Sequence, residues 1–295
     1  MATLPLAALA ADKDPPVPPG RDPGGVAIAI IGPGIDYTWS EISKHLARDG
    51  EGEIIGWDFA DNDRRPFEHR KNNADNPYTS AQWVVLKIID KAPNTRIVPL
   101  RVGEPNALQL GRAATYVGQS PAKIALVMPT SERAEDWQLF RKAAEHFPDV
   151  LFIASPYEPC VEIDPPLRNV DISPVFPISF GLDNLLSVTD FDDQHLPFAH
   201  GGFGPLTIDV AIQSNKTTSI FITHDGPKGS IVVAGDASQI SVAALAARIV
   251  AKEPELKGKA LKARILRLAT PLPADTDPIS KHGLIAEPWK LYPAH

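Results

Sequence analysis

The 295-residue chain has one cysteine, Cys160, and two methionines. A single thiol allows no intrachain disulfide, so bridges neither hold the chain together nor report its redox compartment. Set in a proline-containing stretch, Cys160 reads as structural rather than reactive. No run approaches the ~20 apolar residues of a membrane-spanning helix, so no membrane span is expected. Cations are in deficit, with 29 Lys and Arg against 36 Asp and Glu and a net charge of -7. Binding to a phosphate backbone depends on clustered Lys and Arg. Nucleic acid is therefore not an expected partner. No internal repeat divides the chain.

Proline is abundant, at 30 residues, roughly twice the usual ~5%. The prolines gather near the ends and over 156–177, where connections are expected to be stiff. Hydrophobic residues make up 43%. A chain of this length buries roughly 75% of its unfolded surface, and one domain suffices. The stretch from Leu4 to Asp12 resembles the tail of a secretory signal, with a small-x-small cleavage site after Ala10, although it lacks a basic leading region. Residues 12–25, rich in Pro, Gly and charge, read as a linker. The expected organisation is a signal remnant or flexible Pro-rich arm over 1–24 and a single domain over 25–295. The expected location is secreted or periplasmic, with cytoplasmic as the alternative.

Apolar runs at 26–31, 53–57, 96–102, 123–128, 150–154 and 184–188 alternate with helix-period segments. That alternation predicts an α/β fold, a mostly parallel central sheet with helices on both faces. The segment 80–91 is apolar nearly all round and reads as a buried helix. A second helix is expected at 238–252, ending before Pro254. A third, basic and amphipathic, is expected at 257–269, with Leu261, Ile265 and Leu268 on one face and its cations solvated.

Four short motifs stand in order. The run Val26 to Ile31 ends in Gly32-Pro33-Gly34-Ile35-Asp36. Tyr78-Thr79-Ser80-Ala81-Gln82-Trp83-Val84 opens the buried helix, and Ala154-Ser155-Pro156-Tyr157 follows a core strand. Gly235-Asp236-Ala237-Ser238-Gln239-Ile240-Ser241 opens the later helix. Between them stand Gly56-Trp57-Asp58-Phe59, Arg96 to Val102, Asn184 to Asp190, Phe198-Ala199-His200 and Ile208-Asp209-Val210-Ala211. In this order, from about residue 25 to about residue 270, the segments resemble the subtilisin-like serine proteases, and the resemblance implies their three-layer fold.

The resemblance also implies a site. Its acid, base and nucleophile positions correspond here to Gly32, Tyr78 and Ala237, and its oxyanion-hole asparagine to Tyr157. Triad chemistry needs a carboxylate to orient an imidazole and an imidazole to take the hydroxyl proton. Gly32 has no acceptor, a phenol of pKa near 10 is a poor base, and Ala237 removes the nucleophile. Losing one oxyanion donor typically costs ~10²–10³ in rate. The sequence therefore reads as a catalytically degenerate member that acts by binding a protein or peptide, as scaffold, chaperone or accessory subunit. An active hydrolase with non-standard residues is the alternative. Ser238 or Ser241 would then be nucleophile and His69, His200 or His224 the base, although no acid lies on 26–31 and no base on 80–91. A purely structural subunit is the third reading.

The family's substrate-pairing strand corresponds to Met128-Pro129-Thr130, where Pro129 has no N–H to donate. Met128, Pro129, Thr130, Tyr78 and Tyr157 are the candidate binding residues, forming either a filled core or a protein-binding surface. Asp58, Asp61 and Asp63 resemble a loop that binds calcium in some members. With Arg64 and Arg65 alongside, a salt-bridged loop is favoured over a metal, and no cofactor is expected. Gly32-Pro33-Gly34 fails as a dinucleotide fingerprint, because Tyr37 stands at its third glycine. Asn215-Lys216-Thr217 is a glycosylation sequon, meaningful only in a eukaryotic secretory pathway.

Overall fold

The computed structural model describes residues 14–68, 81–104, 106–156, 168–191, 202–213, 216–223, 226–234, 238–274 and 276–292. At its centre β1 (Val26–Gly32) lies between β3 (Thr95–Arg101) and β4 (Ile124–Val127). Outside β3 comes β2 (Trp57–Asp58). Outside β4 come β5 (Leu151–Ala154), β7 (Leu185–Phe191), β9 (Val210–Gln213) and β12 (Leu284–Ile285). Every pairing in this eight-stranded sheet is parallel. Two small sheets stand apart: β6 (Arg168–Asn169) with β8 (Gly202–Phe203), and the hairpin of β10 (Lys216–Thr223) and β11 (Gly226–Ala234).

Parallel strands need long crossovers, and helices supply them. Besides the short α1 (Ser40–Ser43), the helices are α2 (Ala81–Lys91), α3 (Ala107–Gln119), α4 (Gln138–His146), α5 (Ser238–Lys252), α6 (Gly258–Leu266) and α7 (Pro288–Leu291). Successive strand residues point to opposite faces. Ile28, Ile30, Leu126 and Ile153 pack with Val84, Ile88, Ile240 and Leu261 of α2, α5 and α6. Ala29, Ile31, Val127 and Phe152 pack with Leu110, Val117, Phe140 and Ala144 of α3 and α4. Both faces are covered, which is why the strands read as continuous apolar runs rather than alternating ones.

The runs at 26–31, 96–102, 123–128, 150–154 and 184–188 are all strands. The run at 53–57 is strand only at its end, with an isolated bridge at Ile54. On this edge Ile97 and Arg101 bond outward to residues 45, 47 and 59. Pro99, in phase with them, has no N–H to offer, so the ladder resumes only at Leu100. α3, α4 and the strands from 202 onward were not anticipated. The cations of 257–269 are not all solvated either. Lys262 is half-buried, its Nζ 2.8 Å from Asp209 Oδ2 and bonded to the Leu185 carbonyl.

Within the expected arm, residues 14–24 are hydrogen-bonded to the body of the fold. Tyr37 Oη donates to the Pro15 carbonyl at 2.7 Å, Arg48 Nη2 to that of Pro18 at 2.7 Å, and Arg65 Nη1 to that of Asp14 at 3.1 Å. Asp22 accepts the Arg48 and Gly24 N–H groups at 2.8 and 2.7 Å and Arg96 Nη1 at 2.8 Å. Residues 1–13, with the signal-like stretch, lie outside the described residues. Burial pushes the Asp22 carboxyl up, but the two backbone donors and Arg96 outweigh it and hold it below the usual range. A depressed carboxylate contributes stability that is complete above the unfolded value, about 4, and is lost as pH falls through the folded value. Asp22→Asn is expected to lower the urea midpoint at neutral pH, by a margin that shrinks once pH falls below about 4. An undiminished margin in acid would contradict this coupling.

Candidate functional site

The chain builds β1, then strands on one side of it, then β4 and its successors on the other. Such a reversal opens a crevice at the carboxyl ends of the strands, where α/β sheets place ligands. Here the crevice lies between Gly32, which ends β1, and Met128, which follows β4. The Met128 N–H donates to the Ile31 carbonyl at 3.0 Å, and the Val102 N–H to that of Gly32 at 2.8 Å.

The crevice is filled from within. A Cβ built on Gly32 would stand 2.6 Å from Met128 Sδ, 3.4 Å from its Cγ and 3.5 Å from its Cβ. Met128 is only 4% exposed and belongs to the core shared with α2 and α5. The space into which a side chain at position 32 would grow is thus occupied by a thioether. Pro129 is buried and Thr130 half-buried. Ser131 then pairs antiparallel with Phe176, with bonds of 3.2 and 2.8 Å, and its Oγ accepts Trp137 Nε1 at 2.9 Å. Of the three candidate pairing residues, only Thr130 keeps a substantial solvent face.

The flanking helix ends carry polar groups that the sequence left without a role. On α2, Gln82 is 3% exposed and its Oε1 accepts the Asp36 N–H at 3.2 Å. At the start of α5 the Ser238 N–H donates to Asp190 Oδ1 at 2.8 Å, and Gln239 Nε2 donates to Ser155 Oγ. Asp190 is buried, and a carboxylate inside the apolar run of β7 was the available signal for it. Ser238 is 0% exposed and Ser241 is 3% exposed, so neither alternative nucleophile faces solvent. Tyr78, Tyr157 and Ala237, the histidines at 69, 200 and 224, Cys160 and Asn215 all lie outside the described residues.

The acidic loop is organised around a guanidinium. Arg101 Nη1 lies 2.6 Å from Asp58 Oδ2 and 2.7 Å from Asp61 Oδ2. Asp58 Oδ1 already accepts the N–H groups of Ala60 and Asp61, at 2.8 and 2.9 Å. Burial pushes the Asp58 carboxyl up despite those donors. Asp63 meets Asp58 and Asp14, with carboxylate oxygens within 4.8 Å of one another. An ion pair of the kind expected forms here, and the cation that meets Asp58 and Asp61 is Arg101 of β3. A calcium ion does not fit the residues as they stand, because one Asp58 oxygen is saturated and a cation already bridges Asp58 and Asp61.

A second concavity, of about 650 Å³, lies between α3 and α4. Leu108 and Leu139, 52% and 42% exposed, share it with Tyr116 and Phe147. Arg112 and Lys142 supply its positive charge, His146 stands beside them, and no carboxylate is among its described lining residues.

A parallel α/β sheet with a crevice at its reversal point defines the class. No protein-family model matches the chain, and no curated protein does. Solved structures do. The chain is similar to a lanthipeptide protease at 16% identity, over 92% of this chain and 89% of that one, with a TM-score of 0.67. It is similar to the epidermin leader peptide processing serine protease of Staphylococcus aureus at 14% identity, over 94% and 77%, TM-score 0.65. A cold adapted subtilisin-like serine proteinase matches at 15% identity, over 91% and 92%, TM-score 0.59. The fold is the subtilisin-like one.

The Gly32–Met128 contact is open to a direct energetic test. Gly32→Ala is expected to cost about 1–3 kcal/mol by overpacking, and Met128→Ala about 2–5 kcal/mol by leaving a cavity. Because each change relieves the other, the double variant should lose less than the sum by about 0.5–3 kcal/mol in urea unfolding. Additive losses would mean that the two residues do not share this space.

Proposed function

We propose that this chain is a catalytically inactive subtilisin-like domain that acts by binding a protein or peptide. The observation that carries the reading is Met128 packed against Gly32, where the acid of a triad would project. A carboxylate introduced at Gly32 would displace Met128 and enter an apolar core without a partner, which is costly. Residues Tyr78 and Ala237 at the other two positions agree with this. So does the burial of Ser238 and Ser241, the hydroxyls on which a relocated nucleophile would depend.

The binding half of the reading turns to the groove between α3 and α4, since Met128 and Pro129 are internal. Exposed leucines beside Arg112 and Lys142, on a chain of net charge -7, suit a partner segment that is both apolar and acidic. Export is part of the reading and rests on the small-x-small pattern ending at Ala10.

The triple variant Gly32→Asp, Tyr78→His and Ala237→Ser is expected to remain without measurable proteolysis of an unstructured protein substrate. Efficient cleavage would show that the groove has survived and that Met128 does not close it to a carboxylate at position 32. For binding, the charge reversal Arg112→Glu with Lys142→Glu is expected to abolish co-purification of partners from the native cell, while Met128→Leu leaves it intact. Unchanged association in the charge-reversed variant would remove the groove, and no partner in either sample would favour a structural subunit.

A further inference from the structure

Four carboxylates gather where the N-terminal segment meets the loop after β2. Asp14 and Asp58 are buried, Asp63 is half-buried and Asp61 reaches solvent. Acidic oxygens this close need a cation among them. The chain supplies one from β3. In register, Asp58 pairs with Arg101, so the guanidinium emerges beside the loop it neutralises. Its stem passes over Gly34, where φ is +103° and an added Cβ would lie 2.9 Å from Arg101 Cδ and 3.1 Å from the Pro66 carbonyl. The head then bridges Asp58 and Asp61. Asp14 is drawn into the same corner by Arg65, which bonds its carbonyl.

We propose that Arg101 is the resident cation of the Asp58 loop, fastening that loop to the sheet in place of a divalent ion. The fold is then independent of calcium, and Asp14, Asp58 and Asp63, whose carboxylate oxygens lie within 4.8 Å of one another, become a calcium site once Arg101 releases Asp58.

Thermal unfolding followed by circular dichroism, with a chelator and with millimolar calcium, tests this. The unmodified chain is expected to melt at the same temperature in both. Arg101→Met is expected to melt lower by roughly 3–8 °C in the chelator and to recover part of that loss in calcium, because a ligand bound only by the folded state stabilises it. A parent chain that is stabilised by calcium would overturn the proposal, and so would an Arg101→Met variant that calcium leaves unmoved. If Arg101→Met folds in neither condition, Arg101→Lys decides. Its retained point charge should give an intermediate melting point with a small calcium response, and parent-like behaviour would again overturn the proposal. Terbium luminescence sensitised by the neighbouring Trp57 gives an independent readout, dark in the parent and bright in Arg101→Met.

Discussion

The contact of Met128 with Gly32 organises the reading of the whole molecule. It lies at the sheet's reversal point, where a parallel α/β architecture leaves a crevice between strands that diverge to opposite sides. Closing that crevice with a thioether joins the ends of β1 and β4 to the core beneath α2 and α5. A flexible, polarisable side chain suits an irregular space of this kind. At that reversal point Gly32 is buried and Met128 belongs to the apolar interior.

Charged side chains then fix the periphery in a consistent manner. Arg48 holds the N-terminal segment, Arg101 the loop after β2, and Lys262 the junction of α6 with Asp209. Arg248 donates to the Lys91 carbonyl that ends α2 and, at 2.8 Å, to the Tyr292 carbonyl. In each case a cation reaches from one layer to carbonyls or carboxylates of another. Charge-assisted bonds of this kind contribute more than neutral ones, about 1.5–3 kcal/mol each, when they are largely shielded from water. These ties hold residues 14–24 against the sheet.

Much of the fold was legible because burial on both faces writes itself into sequence as unbroken apolar runs, and β1, β3, β4, β5 and β7 all carry them. α3 and α4 escaped notice because one side of each faces water: Ala107 to Gln119 mixes small, polar and apolar residues without a long apolar stretch. The proline-rich segment before Gly25 misled for another reason. Its anchors are its own carbonyls, which carry no sequence signature, and arginines far away in the chain. At the site, Gly32 was legible as a missing carboxylate, but the thioether filling its space was not, since Met128 lies 96 residues further on. Arg101 was not legible as the partner of Asp58, because strand register rather than sequence adjacency brings it there.

The central claim is that no residue of this chain serves as an activated nucleophile. Intact-mass measurement after prolonged exposure to a serine-directed fluorophosphonate tests it on the unmodified protein. The expected result is an unchanged mass at every concentration tried. A stoichiometric single adduct, mapped to a serine such as Ser238, would contradict the account.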